Sequence, residues 1–113
     1  MFEVRLTSSE IHVILLESKQ VFGSRLACVR LHGSRADLQK KGGDIDLVIE
    51  LFGAISDKFE LAQSLRQGLC FRLGEQKFDI LILSVDPALN SERENTFFAI
   101  IFDSSKVLWS AHG

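Results

Sequence analysis

Leu31-His32-Gly33-Ser34-Arg35, then nine residues between Ser34 and Asp44, then Asp44-Ile45-Asp46-Leu47-Val48: this stretch decides how the chain is read. Residues 27–32, Ala-Cys-Val-Arg-Leu-His, suit a strand that runs into the Gly33-Ser34 turn. Residues 35–43 are polar and end in Gly42-Gly43, so they form a short helix or a loop. Residues 45–51 then alternate with period two. One face carries Ile45, Leu47, Ile49 and Leu51, and the other carries Asp44, Asp46, Val48 and Glu50. Two strands follow one another here, with a glycine–serine turn closing the first and two carboxylates opening the second.

The chemistry follows from those residue types. Asp44 and Asp46, two apart on a strand, share a face about 7 Å apart at the backbone. Carboxylates that close repel unless a cation or a proton lies between them. Hard oxygen ligands in small number suit Mg²⁺, which completes its octahedron with phosphates and water. A third acid, Asp79, stands in the apolar run Phe78-Asp79-Ile80-Leu81-Ile82-Leu83 and would allow a second metal. Gly33 lets backbone approach a phosphate, and Ser34 can donate to its oxygens. Arg35, Lys40 and Lys41 could meet the remaining phosphate charge. Each feature alone is commonplace; their order along one chain is not.

Working outward, Thr7-Ser8-Ser9-Glu10 has the spacing of a capping box. Ile11, Ile14, Leu15 and Phe22 recur at helical intervals, which predicts a helix over 8–21 with Gly23 as its stop. Ile55, Phe59, Ala62, Leu65 and Leu69 mark one apolar stripe of a second helix, over about 56–69. Residues 77–83 read as a largely buried strand, after which Pro87 breaks the chain. Ser91-Glu92-Arg93-Glu94 is a second capping box, opening a helix whose stripe of Phe97, Phe98, Ile101 and Phe102 reads as core before interface. Residues 106–109 form a short terminal strand, and Trp109 reads as an ordinary edge or core aromatic.

Bulk properties bound the answer. At 113 residues the chain is read as a single domain, residues 1–113. Thirteen basic against fifteen acidic side chains give a net charge of -2, which argues against a protein that coats nucleic acid. No apolar run approaches the roughly 20 residues that span a bilayer, and residues 1–5 do not resemble a secretory signal. Cys28 and Cys70 sit in apolar segments away from the scattered His12, His32 and His112. They read as buried thiols of a cytoplasmic protein, and His32 reads as a strand residue.

In the words Gly33-Ser34-Arg35, Asp44-Ile45-Asp46 and Phe78-Asp79-Ile80, the chain resembles the minimal nucleotidyltransferases of the DNA polymerase beta superfamily. The likeness runs from about residue 8 to residue 83. It implies an α+β fold of the polymerase-beta-like nucleotidyltransferase type, a small mixed β-sheet with helices packed against it. By the same resemblance, Asp44 and Asp46 bind Mg²⁺ and ATP, and Asp79 completes a second metal site and helps deprotonate the acceptor. Gly33, Ser34 and Arg35 hold the phosphates. Two departures stand out: the loop before Asp44 is one residue shorter than is common, and Asp37 puts an acid near the phosphates.

Members of this size resemble antitoxins paired with a helical HEPN ribonuclease toxin, which implies a hetero-oligomer. They neutralise it by moving AMP to a tyrosine of the toxin, by binding it, or both. This chain has no Tyr of its own, which is compatible with an acceptor in trans. The alternatives are a nucleotidyltransferase with a small-molecule or RNA acceptor, and a non-catalytic antitoxin that acts by binding.

Overall fold

A computed structural model describes residues 6–33 and 44–112. The order of elements is α1 (Ser8–Phe22), β1 (Leu26–His32), β2 (Ile45–Leu51), α2 (Lys58–Leu73), β3 (Phe78–Ser84), α3 (Glu92–Ile101) and β4 (Lys106–Ser110). The four strands form one mixed sheet in the order β3-β2-β1-β4. β1 runs antiparallel to both β2 and β4, while β2 and β3 are parallel and joined through α2. The expected class, α+β with a small mixed sheet and helices packed on it, is the one observed.

The helices begin where their caps dictate. Thr7 and Ser91 each accept from the backbone N–H three residues on, and Glu10 and Glu94 reach back to the cap N–H groups, so both capping boxes form. The second helix starts at Lys58, after Asp57, and runs to Leu73, a turn beyond the expected end. Its apolar stripe stops short of expectation as well: Leu65 and Leu69 are fully buried, but Phe59 is 72% exposed.

Ile45, Leu47, Ile49 and Leu51 are all inaccessible, facing Ile11, Ile14 and Phe22 of α1 and Leu65 and Leu69 of α2 in one apolar cluster. Between the two helices, Glu17 is buried and accepts from Arg72 Nε at 2.5 Å. Gly68 faces that carboxylate so closely that a Cβ there would collide with it. Cys28 is buried and Cys70 half-buried, and both are free thiols. Burial, reinforced by the charge of Glu50, pushes the Cys28 thiol up to about 11.

The opposite face of the sheet carries Arg30, His32, Asp46 and Glu50. Arg30 Nε donates to Glu50 at 2.7 Å, and its guanidinium lies 4.6 Å from the Phe102 ring and 5.5 Å from that of Phe98. These contacts hold α3 over that face. The helix contributes no buried residue; Phe97 is 41% exposed, and Phe102, just past the helix end, is 46% exposed. The reading of this stripe as core is therefore corrected. A single ten-residue helix, resting on a face that mixes buried Val48 and Leu83 with the charges of Arg30, Asp46 and Glu50, has nothing packed on its outer side among the described residues.

Candidate active site

Register assembles the site. Asp46 is the second residue of β2 and Asp79 the second of β3, and the parallel ladder sets them side by side. On its other flank Asp46 pairs with His32, the last residue of β1. His32, Asp46 and Asp79 thus form one row across three strands, with neighbours about 4.8 Å apart in the hydrogen-bonding direction. The row lines an open cleft of about 350 Å³, to which Arg66 and Phe97 also contribute.

The charged form of Asp46 is disfavoured in the cleft. Burial, a hydrogen bond shared with Asp79, and the charges of Asp79 and Asp44 raise its carboxyl to about 6. Lys77 pulls the other way. Two carboxyls set side by side in this manner have the donor set and mutual repulsion that a hard divalent cation relieves, so the pair fits Mg²⁺. Asp44 lies just before β2 rather than within it, and its Oδ2 is 3.4 Å from Lys77 Nζ. Among the described residues no three His, Cys, Asp or Glu side chains converge tightly enough to form a ready metal cage. Asp46 and Asp79 stand together, and Asp44 is near them but paired with a lysine.

Gly33 takes a left-handed φ of +80°, and a Cβ on it would run into the Asp46 carboxylate. The glycine read as room for a phosphate is thus also room for Asp46. Ser34 and Arg35, together with Asp37, Lys40 and Lys41, lie outside the described residues.

Three cleft residues escaped the sequence reading. His32 is the strand residue expected, and from the end of β1 its ring also meets Phe97 edge-on at 5.9 Å, while burial lowers its pKa against the pull of Asp79. Its signal was its place beside Gly33, which only the β1–β2 register converts into proximity to Asp46. Phe97 was assigned to the core. Arg66 had no signal at all: it reaches the cleft from α2, donating from Nε to the backbone oxygen of Phe78 at 3.1 Å.

Comparison with known proteins bears on the fold. No protein-family model matches the chain. No curated protein matches it either. Among solved structures, a chain of a toxin–antitoxin complex with AMP-PNP is 16% identical, with a TM-score of 0.58 over 87% of this chain and 72% of that one. A chain of the toxin–antitoxin MntA-HepT is 14% identical, with a TM-score of 0.57 over 94% of this chain and 74% of that one. A protein from Shewanella oneidensis gives the same identity and TM-score over 94% and 75%. The architecture seen here is therefore that of solved toxin–antitoxin chains, one of them determined with a nucleotide analogue.

Proposed function

We propose that the protein is a Mg²⁺-dependent nucleotidyltransferase that moves AMP from ATP to a hydroxyl of a partner protein, and that this neutralises a HEPN-type toxin. The observation that carries the reading is the Asp46–Asp79 pair, set in register beside Gly33 at the mouth of an open cleft. The shared fold of toxin–antitoxin chains supports the biological setting, and the AMP-PNP complex of one of them supports a nucleotide ligand.

In this reading Asp46 and Asp79 hold the metal, and Asp44 joins them once released from Lys77. Bound there, Mg²⁺ supplies charge neutralisation for the triphosphate and for the attacking oxygen. Asp79, exposed at the cleft rim, accepts the proton of the acceptor hydroxyl. The oxygen then bonds to the α-phosphorus and the bond to pyrophosphate breaks. The Gly33 turn, with Ser34 and Arg35, takes the remaining phosphates. The chain's work is mainly to position and to neutralise. No helix among the described residues is long and apolar enough to cross a membrane, and the proposed setting is the cytoplasm.

A second reading, neutralisation by binding alone, is favoured by one observation, the Asp44–Lys77 pair, which withdraws a carboxylate from the metal. Both are tested by mass spectrometry of a co-expressed helical partner toxin after incubation with ATP and Mg²⁺. A gain of one or more AMP units that Asp44→Ala/Asp46→Ala abolishes supports transfer. An unchanged mass in a stable, neutralised complex refutes it in favour of binding.

A further inference from the structure

β3 is an edge strand of the sheet, and among the described residues its outer edge is left open at two positions. Along a strand the N–H and C=O of one residue point to the same side, and successive residues alternate. Lys77 O accepts from Ile45 N and Val85 N donates to Leu51 O, so the odd-numbered residues face β2. The even-numbered ones face outward. At one end Arg66 caps Phe78 O. At the other, the Asn90 amide imitates a neighbouring strand, accepting from Ser84 N at 2.8 Å and donating to Ser84 O at 2.9 Å. Between these caps, the outward N–H and C=O groups of Ile80 and Ile82 have no partner among the described residues. Edge strands are usually capped or covered because open edges recruit other chains, and among the described residues only the ends are capped here.

A groove of about 260 Å³ runs along this open stretch, walled by Phe59 and Ala62 of α2. It is bracketed by the Lys58–Glu94 ion pair (2.9 Å) at one end and by Arg66 at the other. Lys58 and Arg66 are eight residues apart on α2, about 12 Å. That length holds about three residues of extended chain. The groove shares Arg66, Ile80 and Leu81 with the cleft of Asp46 and Asp79, so the two adjoin. A strand laid on this edge would place one residue opposite Asp79, its side chain on the same face and about 5 Å away at Cβ. It would extend the row His32, Asp46, Asp79 by one position.

We propose that an extended polypeptide segment adds to the free edge of β3 and that its residue opposite Asp79 carries the hydroxyl presented to the acid pair. The occupant is a polypeptide because only a peptide backbone offers the alternating donors and acceptors that Ile80 and Ile82 lack. What happens to the hydroxyl rests on the adenylyl-transfer reading above; the docking does not.

Hydrogen exchange of single amides, followed by NMR on the full chain, tests it. The probe is a pool of nine-residue synthetic peptides of β-prone residues around one central tyrosine, at millimolar concentration. Bound peptide should slow the Ile80 and Ile82 amides about tenfold or more and leave those of Leu81 and Leu83, already bonded to β2, unchanged. Backbone N-methylation of the peptide at alternate positions should abolish the effect for one parity only. Free exchange at Ile80 and Ile82, whether peptides bind elsewhere or not at all, would overturn the proposal. With ATP and Mg²⁺ added, AMP gain without that protection sinks the docking and leaves transfer standing. Protection without AMP gain does the reverse.

Discussion

Asp46 bears a conflict that folding creates and a metal would resolve. Its carboxyl is raised to about 6, with burial as the largest cause and its neighbours Asp79 and Asp44 adding to it. An acid whose pKa is higher in the folded state favours folding most when protonated. Its contribution is therefore fully present below about pH 4 and is lost as pH rises through about 6. Above that the metal-free protein carries a penalty, which solvent screening of this half-exposed group holds to about 1 kcal/mol. Asp46→Asn should therefore stabilise the metal-free protein at pH 7.5 by about that amount while removing transfer activity. Urea titrations of both proteins from pH 4 to 8 should show the gap opening between pH 4 and 6.5 and then levelling. Gly33→Ala should act oppositely, costing about 1–2 kcal/mol for the left-handed backbone and displacing Asp46 besides. Loss of activity with an unchanged melting temperature would contradict that account.

The elements differ in how firmly they are held. α1 and α2 are locked through Glu17, whose buried carboxylate depends on Arg72 for its cation. Arg72→Ala leaves that carboxylate without its partner and should cost about 1–3 kcal/mol, read as a lower urea midpoint with an unchanged m-value. α3 rests on the Arg30 and His32 contacts and on its cap at Ser91. Removing that cap with Ser91→Ala costs about 1 kcal/mol locally. Because α3 buries no residue, the loss should appear as faster hydrogen exchange across 92–101, with the global midpoint nearly unmoved.

Across the whole molecule, one sheet separates two environments. The α1/α2 side is a closed apolar core, and the other side is an open face on which α3 shelters the acid row. The packed core and the candidate site thus lie on opposite faces of the same strands. Exchange should be slowest for the central strands β1 and β2 and fastest for α3, so the cleft can open without unfolding the core. Comparable protection in α3 and β2 would show instead that the two layers unfold together.

The period-two pattern of residues 45–51, the two capping boxes and the order of the elements were legible in the sequence, because each depends on residues within a turn or a strand of one another. Residue type and spacing also singled out Gly33, Asp46 and Asp79, which the fold brings together. Phe59 and Phe97 were misassigned because hydrophobicity shows that a side chain prefers burial, not whether another layer exists to bury it. Pairing across strands was also beyond local pattern. The β1–β2 and β2–β3 registers set His32, Asp46 and Asp79 in one row, Arg66 reaches them around the edge of β3, and Lys77 takes Asp44. Local spacing determined which groups this protein carries. The ladder hydrogen bonds, closing between strands as far apart in sequence as those of Asp46 and Asp79, decided which of them meet.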